Sequence, residues 1–401
     1  MEYNKIDYFD KFKGMKPYLT ISETEWTYIK DTYEKDDIIE NMTDILWSYS
    51  LPYPNVTEKT AYKDFMKLKG LWWKNLLKDG KWFARNNDAY KYSLDYDGKQ
   101  IFFTTIPTGN KSSDYFHHVN RWKVDGSGGL PSPEKVWQER KRVRQVMKAA
   151  FTLKVTSLNR NVFMSLIALK FYICSTFKPS IAKAIYDMFR AENILDFSAG
   201  WGDRLAGFYA SEYGKLYVGI DPNEGNHENY NRQAEFYDKH LGFFEHERTS
   251  KFICSPAEDV DYSEYENTFD LVFTSPPYFD RERYSDADTQ SWVRYKNIDL
   301  WNEDFLQKTL SKLWPTIKPG GNLLVNIADV NGGKGTWLEI CNPMIDFMLK
   351  TFDDAIYDGC IGMRMQKRPN CSGIGTDLEQ KDEFSEIAFA EPVWVIRKAI
   401  K

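Results

Sequence analysis

Four short apolar runs between Asn193 and Thr274 constrain the fold of this 401-residue chain more than anything else in it. They are Asn193-Ile194-Leu195-Asp196-Phe197, Leu216-Tyr217-Val218-Gly219-Ile220, Lys251-Phe252-Ile253-Cys254 and Phe269-Asp270-Leu271-Val272-Phe273-Thr274. Strand-length runs of this kind predict buried parallel strands, and hence an α/β fold with a doubly wound sheet. Open α/β sheets carry their sites at the C-terminal ends of the strands, so the residues after each run matter most. After the first, Gly200 and Gly202 predict a tight turn into a helix beginning near Asp203. The second ends in Asp221, about where a ribose-binding carboxylate lies. Leu205 stands where a dinucleotide fingerprint needs Gly or Ala, which points to a nucleoside-type cofactor without a pyrophosphate. The third leads into Ser255-Pro256-Ala257-Glu258-Asp259. Asp259 reads either as an acceptor for the adenine amino group of such a cofactor or as a helix-start carboxylate.

The fourth run ends in Ser275-Pro276-Pro277-Tyr278, and the chemistry of this tetrapeptide is specific. The exocyclic amino nitrogen of adenine or cytosine is a poor nucleophile, because its lone pair is delocalised into the ring. A catalyst must hold both N–H groups so that the lone pair points at an electrophile. Ser275 offers a hydroxyl acceptor and the Pro276 carbonyl a second one. Two successive prolines preset the direction of that carbonyl. Tyr278 supplies an aromatic face for a base turned out of its stack. No strong base is needed, since the methylated ammonium product is acidic, and rate comes from in-line positioning. Alone, Ser-Pro-Pro-Tyr reads as an ordinary loop. Behind a buried strand and a glycine turn it reads as an amine-binding site.

From Phe177 onward the chain resembles the S-adenosylmethionine-dependent amino methyltransferases that modify DNA at adenine N6 or cytosine N4. Phe177 opens a segment similar to the family's cofactor-methionine segment. Asp196, Ser198, Gly200 and Gly202 match its glycine motif, Asp221 its ribose acid and Asp259 its adenine-binding acid. Ser275, Pro276, Pro277 and Tyr278 match the catalytic tetrapeptide. Lys318-Pro319-Gly320-Gly321 with Asn322 to Ile327 looks like the fifth strand and its turn, and Ala390 to Arg397 like the closing strand. The resemblance implies a seven-stranded, mostly parallel Rossmann-like methyltransferase sheet, S-adenosyl-L-methionine as cofactor, and DNA as substrate, with restriction-modification as a setting and an endonuclease as a conceivable partner. Ser at position 275 is similar to cytosine-N4 members, although adenine members with Ser exist. Many relatives carry the tetrapeptide before the glycine motif, whereas here it follows. An RNA guanine-N2 or adenine-N6 methyltransferase, and a non-catalytic nucleic-acid-binding protein that retains the fold, are the alternatives.

The remaining sequence sets the frame. A net charge of −5 does not mark a nucleic-acid binder, although local distribution matters more than the total. Five cysteines without CxxC spacing and five histidines predict no metal site and a reducing, intracellular, cytoplasmic setting. No signal peptide or transmembrane segment is read, and Val162 to Cys174 reads as a buried helix. Gly126-Ser127-Gly128-Gly129-Leu130-Pro131-Ser132-Pro133 predicts a divide into an additional N-terminal domain, 1–131, and a methyltransferase domain, 132–401. A chain begun near Ser132 is then expected to fold and bind cofactor. Before the divide, Lys67 to Lys74 and Lys78 to Trp82 interleave Trp with Lys. This suits nucleic-acid stacking, but an amphipathic helix with Trp in the core is the favoured reading. After it, Ser132 and Pro133 read as the cap and first turn of a helix bearing Arg140, Lys141, Arg142, Arg144 and Lys148. That run is either a solvated face or a phosphate track. His117-His118 reads as a surface turn. Phe279 to Lys296 and Met363 to Gly375 read as substrate-side inserts. With the last strand so near the end, recognition is expected from them or from the N-terminal region.

Overall fold

The computed structural model describes residues 5–242, 247–365 and 387–400. Two compact units divide the chain. One comprises Met1–Asn55, His118–Ser175 and Glu282–Tyr284, and the other Val56–His117, Thr176–Arg281 and Ser285–Lys401.

The larger unit is built on a ten-stranded sheet. Its strands are β1 (Leu77–Asp79), β2 (Trp82–Phe83), β3 (Ile101–Phe103), β4 (Asn193–Asp196), β5 (Leu216–Ile220), β6 (Thr249–Ile253), β7 (Phe269–Thr274), β8 (Ile317–Asn326), β9 (Ala355–Arg364) and β10 (Ala388–Lys398). Their order is β1-β3-β9-β10-β8-β7-β4-β5-β6, with β2 beside β10. Strands β4 to β8 are mutually parallel, and β10 runs antiparallel to both β8 and β9. The seven strands β4 to β10 form the doubly wound, mostly parallel Rossmann-like sheet that the apolar runs predict. The chain winds outward from β4 through β5 and β6, then returns to β7 on the other side of β4. The β4/β7 junction is therefore the switch point at which such sheets hold ligands.

Side-chain alternation explains why both faces are covered. Ile194, Tyr217, Leu271, Phe273 and Leu324 enter one core, with helices α1 (Glu58–Lys69), α2 (Pro179–Met188), α3 (Asp203–Ala210) and α4 (Glu224–Lys239). Leu195, Val218, Val272, Leu323 and Val325 enter the other, with α5 (Cys341–Thr351) and Leu306, Leu310 and Trp314.

The boundary expected at 131/132 is not where the compact units divide, and the reason is packing. Helix α1 is closed by a reciprocal Thr57/Thr60 capping box and buries Phe65 and Leu68 in the sheet core. Strand β3, fully buried, pairs with Gly362 and Met363 of β9. Residues 56–117 are thus part of the sheet unit. The Gly/Ser/Pro stretch is no linker either: Gly126 pairs with Glu282 in a two-stranded ladder, and a Cβ there would lie 2.7 Å from the Tyr172 ring. In the Trp/Lys region the helix stops at Lys69, Trp72 is exposed, and Trp82 is buried on β2 rather than on a helix.

The smaller unit is helical, with Trp26, Met42, Leu46, Val143, Met147, Phe163 and Ile167 in its core. Ser132 does cap a helix, with Pro133 in its first turn, but that helix ends at Trp137. The basic residues ride a second helix, Arg140–Thr152. Arg140 pairs with Glu40 and Asp44, Arg144 with Glu40, and Arg142 and Lys141 with Glu139. Arg140, Lys141, Arg142 and Arg144 are therefore paired within the protein rather than free cations. The apolar stretch after Val162 lies on the helix Arg160–Lys170, which buries Phe163, Leu166 and Ile167 and leaves Leu169 exposed. His117 is not in a surface turn: it lies on the helix Asn110–Arg121, buried, its Nε2 2.9 Å from Gln233 Oε1. Most of the Met363–Gly375 insert lies outside the described residues. No described helix is long and apolar enough to cross a membrane.

A candidate cofactor and amine site at the strand ends

The switch point is organised by Asp196, whose side chain is fully buried at the end of β4. Its carboxylate accepts from Arg204 Nε at 2.7 Å, Tyr217 Oη at 2.7 Å, Thr274 Oγ1 at 3.2 Å and the Ser198 amide at 3.2 Å. Arg204, on α3, also donates to the Ser198 carbonyl and lies under the Phe177 ring, 5.3 Å from its centroid. Phe177 packs edge-on against Phe273 of β7. One carboxylate thus ties together β4, β5, β7 and α3. Asp196 and Phe177 are brought into the site, but Asp196 is occupied by the protein's own donors.

The turn above it depends on its glycines. Gly200 and Gly202 have φ of +63° and +69°, a region that non-glycine residues seldom adopt. A Cβ on Gly202 would fall 2.0 Å from Gln233 Oε1, whereas one on Gly200 would meet nothing closer than 3.6 Å. Gly202 is therefore packed from behind, whereas a Cβ on Gly200 would make only ordinary van der Waals contact with the Ser198 carbonyl and Arg204. Helix α4 fixes the turn: Asn226 and Tyr230 donate to the Gly200 carbonyl, and Gln233 to that of Gly202 at 2.9 Å. Nothing in the sequence singles out Arg204, Asn226, Tyr230 or Gln233. They matter only once α4 lies beside the turn.

Asp221, at the end of β5, accepts from the Gly200 amide at 2.9 Å and the Asn223 amide at 2.9 Å. Each carboxylate oxygen keeps a further lone pair for a ligand hydroxyl. Burial raises the Asp221 pKa, and the two backbone donors oppose this.

Ser275 to Tyr278 continue directly from Thr274, the residue bonded to Asp196, so β7 delivers the tetrapeptide to the glycine turn. The Ser275 hydroxyl is half-buried and has no hydrogen-bond partner among the described residues. Pro276 is buried, while Pro277 and Tyr278 are partly exposed. The next residue, Phe279, holds a φ of +52°, fixed by its amide bonding to the Pro277 carbonyl at 3.0 Å and by a ring contact with Trp301. Such a backbone costs of order 1–3 kcal/mol and persists where surrounding structure imposes it. Trp301 begins a π-helical stretch, Trp301–Gln307, a rare form that frequently occurs at functional sites.

Asp259 is exposed, with Arg294 Nη1 at 2.8 Å and Lys308 Nζ at 3.8 Å, and the Arg294 hydrogen bond lowers its pKa. The buried acid of this turn is its neighbour Glu258, whose Oε1 accepts from Arg294 at 2.7 Å and Tyr295 at 2.8 Å. Burial raises the Glu258 pKa. Among the described residues no cluster of three His, Cys, Asp or Glu is placed to hold a metal ion.

No protein family's profile and no curated protein matches this chain. Solved structures do resemble it. A protein designated PH0851 is 12% identical with a TM-score of 0.35, the match covering 56% of this chain and 47% of that one, about half its length. A SAM-dependent O-methyltransferase from Thermotoga maritima is 13% identical with a TM-score of 0.31, covering 57% and 68%. An rRNA methylase from Streptococcus thermophilus is 12% identical with a TM-score of 0.31, covering 56% and 99%. With TM-scores of 0.31 to 0.35, these likenesses add nothing to what the strand order says of the fold. The strand order and the glycine turn define an α/β protein with a Rossmann-like methyltransferase fold.

Proposed function

We propose that this chain transfers a methyl group from S-adenosylmethionine to an exocyclic amino nitrogen of a nucleobase, cytosine N4 or adenine N6 in DNA. The observation that carries this reading is the Ser275 hydroxyl, without a hydrogen-bond partner among the described residues, next to Pro276 at the strand end adjoining the glycine turn. Two acceptors on a stiff Pro-Pro segment suit an amino group whose two N–H bonds must be held while its lone pair is redirected. The residues present also fit the cofactor. Gly200 lies in a left-handed turn beside Asp221, which has lone pairs for two ribose hydroxyls. When bound, S-adenosylmethionine supplies an electrophilic methyl on a sulfonium. The chain's residues do the rest: Asp221 fixes the sugar, the tetrapeptide aligns the amine, Tyr278 stacks on the base, and bulk water takes the released proton. Support for a nucleic-acid substrate comes from Trp72, 47% exposed, with Lys74 Nζ 5.8 Å from its ring centroid. An exposed aromatic beside a cation suits base stacking and phosphate contact.

The test is incubation with labelled S-adenosylmethionine and separate DNA and RNA pools, followed by digestion to nucleosides. Label in N4-methylcytosine or N6-methyladenine from DNA is expected. Label only in RNA nucleosides transfers the same amine chemistry to RNA, and no label with cofactor bound makes the chain a binding protein. Ser275→Ala and Tyr278→Ala should leave cofactor affinity intact and lower turnover by about 10²–10³, the cost of losing a transition-state acceptor. Wild-type rates in both would end the amine-grip reading.

A further inference from the structure

We infer that the outer face of α1, with the turn that follows it, binds single-stranded nucleic acid. The inference rests on the nucleobase reading above and names the form in which the base is presented. The face consists of two adjoining rows, each with the four-residue spacing that sets side chains one above the next along a helix. Lys59, Lys63 and Lys67 form the first row and are all exposed. Tyr62 and Met66, 38% and 40% exposed, form the second. Trp72 and Lys74, both exposed, follow the helix end.

Neither row is used by the fold. The helix spends its apolar side, Ala61, Phe65 and Leu68, in the sheet core. Lys59, Lys63, Lys67 and Lys74 enter no ion pair among the described residues, in contrast to Arg140 and Arg144. Of the helix's two acids, Glu58 stands at its first position and Asp64 is engaged by the Lys111 amide at 2.8 Å. On a chain of net charge −5 this is a local concentration of positive charge, complementary to phosphate. A duplex would need the cations alone, because its bases are stacked on one another. Exposed Tyr, Met and Trp beside those cations match unstacked bases, whose faces a single strand leaves free. His240 buttresses the Tyr62 ring, with centroids 4.6 Å apart. A lipid surface fits less well, since the continuous apolar side of the helix is already buried and only a narrow row is left to insert.

The surface belongs to the unit that carries the site. Phe65 stacks on Tyr237 at 4.3 Å, and Gln233 donates to the Tyr237 hydroxyl at 3.0 Å and to the Gly202 carbonyl of the glycine turn at 2.9 Å. Leu68 and Pro179 both lie against Gly109, where a Cβ would fall 2.9 and 2.7 Å from them. Pro179 stands two residues after Phe177, whose ring packs on Phe273 of β7. The helix therefore meets the Phe177 segment at its C-terminal end, next to Lys67 and ahead of Trp72 and Lys74.

The experiment is fluorescence-anisotropy binding of the full chain to one labelled mixed-sequence oligonucleotide, as a single strand and as a duplex, across a salt series. Wild type is expected to prefer the single strand. Replacing Lys59, Lys63 and Lys67 together by Gln should flatten the slope of log affinity against log salt by about 2, at about 0.7 per phosphate contact on a single strand. Tyr62→Ala and Trp72→Ala should each weaken single-strand binding roughly 5- to 150-fold, the worth of one stacked base, and leave the slope and S-adenosylhomocysteine affinity unchanged. All five positions are exposed, so the variants are expected to fold, which circular dichroism checks. A preference for duplex, or variants that bind the single strand with wild-type affinity and slope, overturns the assignment while label transferred to nucleic acid keeps the methyl-transfer reading intact. Binding to anionic phosphatidylserine vesicles that the same substitutions abolish, with no oligonucleotide bound, gives the surface to lipid and overturns it too. Wild type that neither binds nor labels either oligonucleotide overturns both readings.

Discussion

Asp196 separates two accounts of the glycine motif, one in which its acid serves the cofactor and one in which it holds the fold. The structure favours the second, and Asp196→Ala tests it. The substitution removes the acceptor for Arg204, Tyr217, Thr274 and the Ser198 amide at once. Arg204 is only 5% exposed at its side chain and would be left as a buried cation with a backbone carbonyl for company. Breaking a buried ion pair by deleting one partner costs roughly 3–5 kcal/mol. The two hydroxyls lose an acceptor as well, at about 1–3 kcal/mol each when taken singly, but these overlap with the first loss and do not add. A destabilisation near 4 kcal/mol follows, against a total of about 5–15 kcal/mol for a folded domain. The assay is urea unfolding without cofactor, followed by circular dichroism. Asp196→Ala/Arg204→Met should recover part of the loss, because no charge is then stranded. An Asp196→Ala protein that unfolds at the wild-type urea midpoint, yet no longer binds S-adenosylhomocysteine, would refute the structural account and restore Asp196 to the cofactor.

Three further outcomes are expected. Burial raises the Asp221 pKa, and ribose hydroxyls donate to its ionised form, so cofactor affinity should fall as pH drops through that raised value and be flat above it. Calorimetry across pH should show this in wild type and a flat profile in Asp221→Asn. Arg140→Ala and Arg144→Ala should cost about 0.2–1 kcal/mol of stability each, as partly exposed pairs do, and leave the salt dependence of nucleic-acid binding unchanged in a salt titration. A chain begun at Ser132 should not reach the native fold by circular dichroism and thermal melting. It lacks Phe65, Leu68, Ile101, Phe102 and Phe103, all buried against the sheet, at about 1.5–3 kcal/mol each.

The strands from β4 to β7 were legible because buried parallel strands have to be apolar on both faces, and little else produces such runs. Their order puts Asp196, Gly200, Gly202, Asp221 and Ser275 at one edge, so the sequence alone groups the motif residues. Strands β2 and β3 were not legible. Two or three residues carry no period, and Trp82 and Phe102 pair with two different strands, at Ala388 and Gly362, more than 250 positions away. The Gly126 to Pro133 stretch misled for a related reason. Glycine signals a flexible linker and a tight approach equally well, and only the Tyr172 ring decides between them.

Charge was the least legible property, and the reason bears on how the site works. Arg140 and Arg144 read as free cations because their partners, Glu40 and Asp44, lie about a hundred residues away on another helix. Asp259 is the acid the sequence singles out in its turn, yet the chain exposes it and buries its neighbour Glu258. Arg294 bonds both, at 2.7 Å to Glu258 and 2.8 Å to Asp259, so burial rather than pairing separates the two acids. The same argument applies to the two acids of the sheet proper. Asp196 has spent its acceptors on the fold, and Asp221 has spent only half of them on backbone amides. A residue-by-residue resemblance cannot see that difference, because it is a property of neighbours rather than of identity. The capacity for chemistry at this sheet edge therefore follows the unspent hydrogen-bonding groups, the Ser275 hydroxyl and the remaining lone pairs of Asp221.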